Sequence, residues 1–149
     1  MLAIGARAPD FTLPDADGRP VSLNGLLSHG SLILYFYPAD FTPACTREAC
    51  WFRDLHPSIE AAGLELAGIS PQSPESHHAF QDRYGLTFPL LSDVDRCVVR
   101  MYEVQGLLGL GVRRATFLID AQRNVRDRVV ADLRIGLHAA FVKRAAGQA

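Results

Sequence analysis

Long apolar runs are missing from this sequence. The longest, Leu32 to Tyr37, falls far short of the roughly 20 residues that a membrane-spanning helix needs. An excess of charge is missing too: 15 Lys and Arg stand against 16 Asp and Glu, for a net charge of -1. With no basic run, there is no electrostatic case for nucleic acid or an anionic membrane as partner, and neither is expected. Cysteine is scarce. Three cysteines, Cys45, Cys50 and Cys97, cannot form a fully paired disulfide framework within one chain. In a reducing compartment such residues serve as buried small hydrophobes, metal ligands or redox groups. The opening MLAIGARAPDF does not read as a signal peptide, because its Arg follows the short apolar stretch and Pro9 and Asp10 come early. A cytoplasmic protein is the expectation. Internal repeats, low-complexity segments, a Ser–His–Asp pattern, a glycine-rich phosphate loop and a cofactor fingerprint are also absent. No cofactor and no metal is expected.

What is present suits one domain over residues 1–149: the length is typical, and 48% of residues are hydrophobic. Phe11 to Leu13 and Val21 to Leu23 flank a turn at Asp15–Gly18, which predicts a small N-terminal β-hairpin. Ser31 to Tyr37 reads as a strand buried on both faces, ended by Pro38. A helix begins near Thr42 or Pro43, with Thr42 as N-cap and Pro43 in the first turn. Ala49, Phe52 and Leu55 continue its apolar stripe, and Gly63 closes the unit. Leu64 to Ser70 is a second buried strand. A helix capped by Ser73 or Ser76 runs to Tyr84 and ends at Gly85. Phe88 to Leu91 is a short strand. Asp93-Val94-Asp95 opens a helix lasting to Tyr102, and Gly106 to Gly111 forms a loop. Ala115 to Ile119 and Val125 to Val130 form a second hairpin. A last helix starts near Ile135 or Gly136 and runs into the C-terminus. This order predicts an α/β protein: a thioredoxin-like fold whose mixed central sheet is flanked by helices, with an N-terminal β-hairpin.

The chemistry concentrates in PADFTPACTREAC, where a buried strand hands over to a helix at the carboxyl edge of the sheet. Cys45 falls in the first helical turn. Backbone N–H groups there lack partners, and the helix dipole favours negative charge. The thiolate, the reactive form of the side chain, is favoured accordingly. The hydroxyl of Thr42 can reach the same place as donor or acceptor.

Pro38-x-x-x-Thr42-x-x-Cys45 resembles the signature of the peroxiredoxins. The flanking DFTPACTREAC, together with GARAPDFTLPDADGRPVSL, the YFYP strand end, GISPQSPESHHAF, YGLTFPLLSD and RRATFLID, is similar to the bacterioferritin-comigratory-protein group, also called PrxQ. The resemblance runs from about Gly5 to Asp120 and weakens beyond. It implies a thiol-dependent peroxidase acting on hydrogen peroxide and organic hydroperoxides. Cys45 resembles the peroxidatic cysteine, Thr42 the hydroxyl that holds peroxide, and Pro38 the proline that shields and shapes the pocket. Arg114 resembles the distant arginine aimed at the sulfur, with Arg113 left as a solvated neighbour. Glu48 resembles a supporting acid that orients an arginine. Cys50 resembles the resolving cysteine used by part of the group, and thioredoxin or a similar dithiol is the reductant the family suggests. Such a protein is expected as a monomer or weak homodimer.

Helix geometry complicates that pairing. Residues five apart on a helix are separated by about 7.5 Å of rise and roughly 140° of rotation. Their Cα atoms then lie beyond the roughly 7 Å limit for a disulfide. A Cys45–Cys50 bond therefore requires the start of the helix to unwind. Trp51 departs from the group's usual small residue; it either packs on the core and resists unwinding or covers the oxidised form. Cys97 belongs to no signature and reads as a buried structural residue. The apolar GLLGLG loop reads as a buried connector or an association surface.

Other readings remain open. A disulfide reductase of thioredoxin type needs Cys-x-x-Cys, and this chain has four residues between Cys45 and Cys50. A metal-binding module could draw on Cys45, Cys50, Cys97, His56, His77 and His78, but none has zinc-type C-x2-C spacing. The adjacent His77 and His78 read as a solvated helix start. A redox-sensing module without turnover, or a non-catalytic scaffold, is a further alternative.

Overall fold

The computed structural model describes residues 1–147. Its elements, in chain order, are β1 (Thr12–Pro14), β2 (Pro20–Ser22), α1 (Leu23–Leu26), β3 (Leu32–Phe36), α2 (Pro43–Ala61), β4 (Glu65–Ser70), α3 (Pro74–Tyr84), β5 (Leu90–Ser92), α4 (Cys97–Met101), β6 (Ala115–Ile119), β7 (Val125–Val130) and α5 (Gly136–Ala145). The hairpin β1–β2 stands apart from a five-stranded sheet ordered β5-β4-β3-β6-β7. β3 pairs parallel to β4 and antiparallel to β6, so the sheet is mixed as the sequence predicts.

Strand alternation sorts the core into two layers. Leu32, Leu34 and Phe36 face α1 and α4, with Val98, Val99 and Tyr102 packed beneath them. Ile33, Tyr35 and Tyr37 face α2, α3 and α5, against Phe52, Ile59, Phe80 and Phe141. Gly68 makes this second layer possible, since a Cβ there would stand 2.8 Å from the Tyr35 ring. The thioredoxin-like arrangement puts the β3–α2 connection at the carboxyl end of β3, the central strand of the sheet.

Several expectations need correction. Leu23 opens the short helix α1, capped by the Ser22 hydroxyl, instead of extending β2. The fifth strand starts two residues later and ends one residue later than expected. Helix α4 starts only at Cys97, because Arg96 adopts a left-handed backbone, φ 61°. The buried Asp93 carboxylate instead reaches forward to accept from the Val98 and Val99 N–H groups. Helix α2 continues through Pro57, a residue that normally breaks a helix interior. Burial of Phe52, His56 and Ile59 on either side of it holds the segment helical. Cys97, expected in the core, is exposed; of the two readings of the apolar loop, the exposure of Leu107, Leu108 and Leu110 removes the buried connector and leaves the association surface open. His77, expected in solvent, is fully buried, whereas His78 is exposed. The end of the last helix prediction, residues 148–149, lies outside the described residues.

Candidate active site

Cys45 occupies the third position of α2 and is 1% exposed. Thr42 precedes the helix but gives it no side-chain cap; its exposed hydroxyl donates instead to the Ala39 carbonyl at 3.3 Å. The first N–H groups of α2 are therefore not spent on a cap and remain available to an anion beside Cys45. Thr42 makes no hydrogen bond to the sulfur in this arrangement, so its expected hydroxyl contact is not formed.

Arg114 arrives from across the sheet. Its Nη2 donates to Cys45 Sγ at 3.2 Å, and its Nη1 donates to Glu48 Oε1 at 2.7 Å. Strand alternation explains the choice between two adjacent arginines. Arg114 shares the side of Thr116 and Leu118, which face α2, whereas Arg113 points the other way and pairs with Asp132 at 3.0 Å. Glu48 lies one turn after Cys45 on the same helix face, so one guanidinium spans both groups.

The electrostatics follow from burial. Burial pushes the Glu48 carboxyl up to about 7, although the Arg114 guanidinium pulls it down. Burial also works against the charge on Arg114, but Glu48 and Cys45 outweigh it and hold the guanidinium firmly cationic. Glu48 Oε2 has no hydrogen-bond partner among the described residues; His138 Nδ1 stands 3.8 Å away. Burial, with Arg114 close by, pushes the His138 imidazole down, toward its neutral form. His138 is tied by its other nitrogen to the Ala131 carbonyl at 2.9 Å.

A cleft of about 620 Å³ opens beside these groups, walled by Pro38, Gly106, Leu107, Arg113, Arg114 and Asp132. Cys50 is half-buried in the same helix, and all three cysteines are free thiols. Trp51 lines a separate groove between α2 and α5, with Ala139, Ala140 and Lys143. Among the described residues no group of three His, Cys, Asp or Glu side chains could hold a metal, and no helix is long and apolar enough to cross a membrane.

The AhpC/TSA family model matches residues 4–128. The chain belongs to the AhpC/TSA family. It is 41% identical to a putative peroxiredoxin, bcp, of Coxiella burnetii, over 95% of this chain and 96% of that protein. The crystal structure of the peroxidoxin BcpB of Mycobacterium tuberculosis superposes with a TM-score of 0.92 at 37% identity, covering 99% of this chain and 97% of that one. The bacterioferritin comigratory protein of Xanthomonas campestris, described for its alkyl peroxide reduction activity, superposes with a TM-score of 0.86 at 32% identity, covering 99% and 96%. The chain is thus a peroxiredoxin of the BCP/PrxQ group, an oxidoreductase with thiol peroxidase activity.

Of the five residues singled out in the sequence, Pro38, Thr42, Cys45 and Arg114 lie around the start of α2, whereas Cys50 lies in its second turn. Sequence reasoning missed His138 and the pair Asp40–His77. The signal for His77 was present: positions 77, 80 and 84 follow helical spacing, which puts His77 on the buried stripe with Phe80. Its adjacency to His78 obscured that pattern.

Proposed function

We propose that this peroxiredoxin reduces hydrogen peroxide and organic hydroperoxides at Cys45 and resolves the product with Cys50. The observation that carries this reading is the buried Arg114 guanidinium, 3.2 Å from the Cys45 sulfur. The thiolate attacks one peroxide oxygen and forms the S–O bond as the O–O bond breaks. Cys45 becomes a sulfenic acid, and the other oxygen leaves as hydroxide or alkoxide, then takes a proton. Charge develops on that departing oxygen. Arg114 and the uncapped N–H groups of α2 are fixed donors for it, needing no reorganisation. Thr42 acts once its hydroxyl leaves the Ala39 carbonyl for the bound peroxide. Pro38, half-buried in the cleft wall, limits water at the sulfur.

Cys50 then attacks the sulfenic sulfur, releasing water and forming a disulfide. Both cysteines sit on an intact helix in the reduced protein, so the first turns of α2 unwind in each cycle. A dithiol reductant of thioredoxin type in the cytoplasm restores both thiols. The test is peroxide turnover with and without thioredoxin, on the wild type and on Cys50→Ser, with mass mapping of the oxidised chain. A Cys45–Cys50 link and loss of thioredoxin-dependent turnover in the variant are expected. Full turnover in Cys50→Ser would overturn the resolving role.

A further inference from the structure

A second buried ionic cluster lies beside the loop that leads into α2. Asp40 is 6% exposed and His77 is fully buried. The Asp40 carboxylate accepts from Tyr37 Oη at 2.7 Å, from Ser76 Oγ at 2.7 Å and from His77 Nδ1 at 2.8 Å. His77 Nε2 stands 3.1 Å from the Leu91 carbonyl. His77 Nδ1 also stands 3.3 Å from Tyr37 Oη, so both ring nitrogens have polar partners. The Asp40–His77 pair is fully shielded from water, both side chains being inaccessible to solvent.

The cluster joins the loop of residues 38–42 to α3. Phe41 makes a second attachment: its ring packs on Phe80 at 5.1 Å and Tyr84 at 6.4 Å, edge to face with Phe80. To make that contact Phe41 holds a left-handed backbone, φ 66°, a conformation that costs a bulky residue strain. Thr42 gives the helix start no cap. The chain therefore enters α2 through a strained residue, Phe41, and an N-cap residue, Thr42, whose side chain makes no cap bond.

We propose that Asp40 and His77 are positioning residues that clasp this loop and set how often the start of α2 unwinds. The inference rests on the Cys45–Cys50 pairing above. Two fates compete for the sulfenic acid. Cys50 can attack it, giving the disulfide and water. A second hydroperoxide can oxidise it, giving a sulfinic acid and water or an alcohol. Only the first fate needs an unwound helix. A tight clasp slows disulfide formation and exposes Cys45 to the second oxidation; a loosened clasp does the reverse.

The experiment uses the full chain, with Asp40→Asn and His77→Gln as separate variants. The ratio of disulfide to sulfinic acid at Cys45 is measured by mass spectrometry over a range of hydrogen peroxide concentrations. That ratio does not depend on how fast the sulfenic acid forms. Loss of a charged hydrogen bond should raise it by about tenfold in either variant. Ile59→Val, which loosens the body of α2 without touching the clasp, should leave the ratio unchanged. Amide exchange over residues 42–48 of the reduced protein should be faster in both variants than in the wild type. An unchanged ratio in both variants, or unchanged amide exchange in both, overturns the clasp. Failure of the pairing itself shows differently: the wild type then forms no Cys45–Cys50 disulfide. In that case amide exchange over residues 42–48 of the reduced protein decides, with faster exchange in Asp40→Asn supporting the clasp and equal exchange overturning it.

Discussion

Around Cys45, a thiol and a carboxyl share one guanidinium, and polar valences are left over: Glu48 Oε2 and Arg114 Nε have no partner among the described residues. Around Asp40, one carboxylate takes three donors, and both nitrogens of its histidine are used. The two clusters flank the same loop and are buried to the same degree. Their difference lies in saturation. A fully satisfied buried network fixes geometry, because any change leaves a group unpaired at high cost. A network with spare donors can meet a new charge without rebuilding itself, which is what a developing oxyanion requires. The unsaturated cluster thus suits chemistry and the saturated one suits holding the chemistry in place.

Removing the nucleophile should break the comparison most completely. Cys45→Ser should reduce peroxide consumption to background while thermal unfolding stays close to wild type, since a serine hydroxyl is hardly ionised at neutral pH. Substantial remaining turnover would move the chemistry away from this cluster altogether. Next in size is Arg114→Ala, which should slow the peroxide step by about a hundredfold, as loss of a fixed oxyanion donor does elsewhere. Arg113→Ala should stay within about twofold, because its partner Asp132 is a half-exposed surface group and such pairs contribute little. The reverse order would mean that strand alternation does not decide which arginine acts.

Of the first cluster, Cys45 was legible from its place at a strand-to-helix start, whereas Glu48 and Arg114 were picked out only by the family resemblance, because spacing alone does not distinguish Arg114 from a solvated surface arginine. The sheet was legible too: Ala115–Ile119 and Val125–Val130 appear where their apolar patterns put them. The second cluster was not legible. Asp40 and His77 are 37 residues apart, and only the parallel pairing of β3 and β4 brings α3 beside the loop. Helix α4 was misplaced at its start because the Asp93 cap acts over five and six residues instead of two or three. Cys97 was misassigned because its helix is only one turn long, and its neighbours Val98 and Val99 carry the burial.

A finer test concerns the spare oxygen of Glu48. Glu48→Gln keeps an acceptor for Arg114 but removes the acid, so peroxide turnover should change by less than about tenfold. Its distinct signature is in stability against pH. The Glu48 carboxyl is raised in the folded protein from 4.5 to about 7. The folded state therefore holds this proton more tightly than the unfolded state. The contribution is fully present below about pH 4.5 and is lost as pH rises through about 7. A ceiling on that loss is about 3 kcal/mol, at 1.36 kcal/mol for each pKa unit. Unfolding by urea across this window should show a decline in the wild type that is flatter in Glu48→Gln. Identical slopes would place Glu48 in a solvated site and remove the contrast with Asp40.

The smallest effect is expected at the third thiol. Cys97 is exposed at the start of α4, and its neighbours Val98 and Val99 pack on the sheet face that carries Leu34 and Phe36. Cys45 packs on the opposite face, with Tyr35 and Phe52. The sheet thus stands between the two sulfurs. A disulfide needs Cα atoms within about 7 Å, and unwinding the start of α2 does not carry Cys45 through five hydrogen-bonded strands. Neither cluster involves Cys97, so Cys97→Ser should leave turnover within about twofold and leave the disulfide-to-sulfinic ratio unaltered. After one equivalent of peroxide, Cys97 should remain alkylatable while Cys45 and Cys50 do not. A Cys45–Cys97 link within one chain would require the sheet to open. A link between two chains would instead appear as a dimer on a non-reducing gel and would fade on dilution, whereas the Cys45–Cys50 bond, formed within one chain, would not.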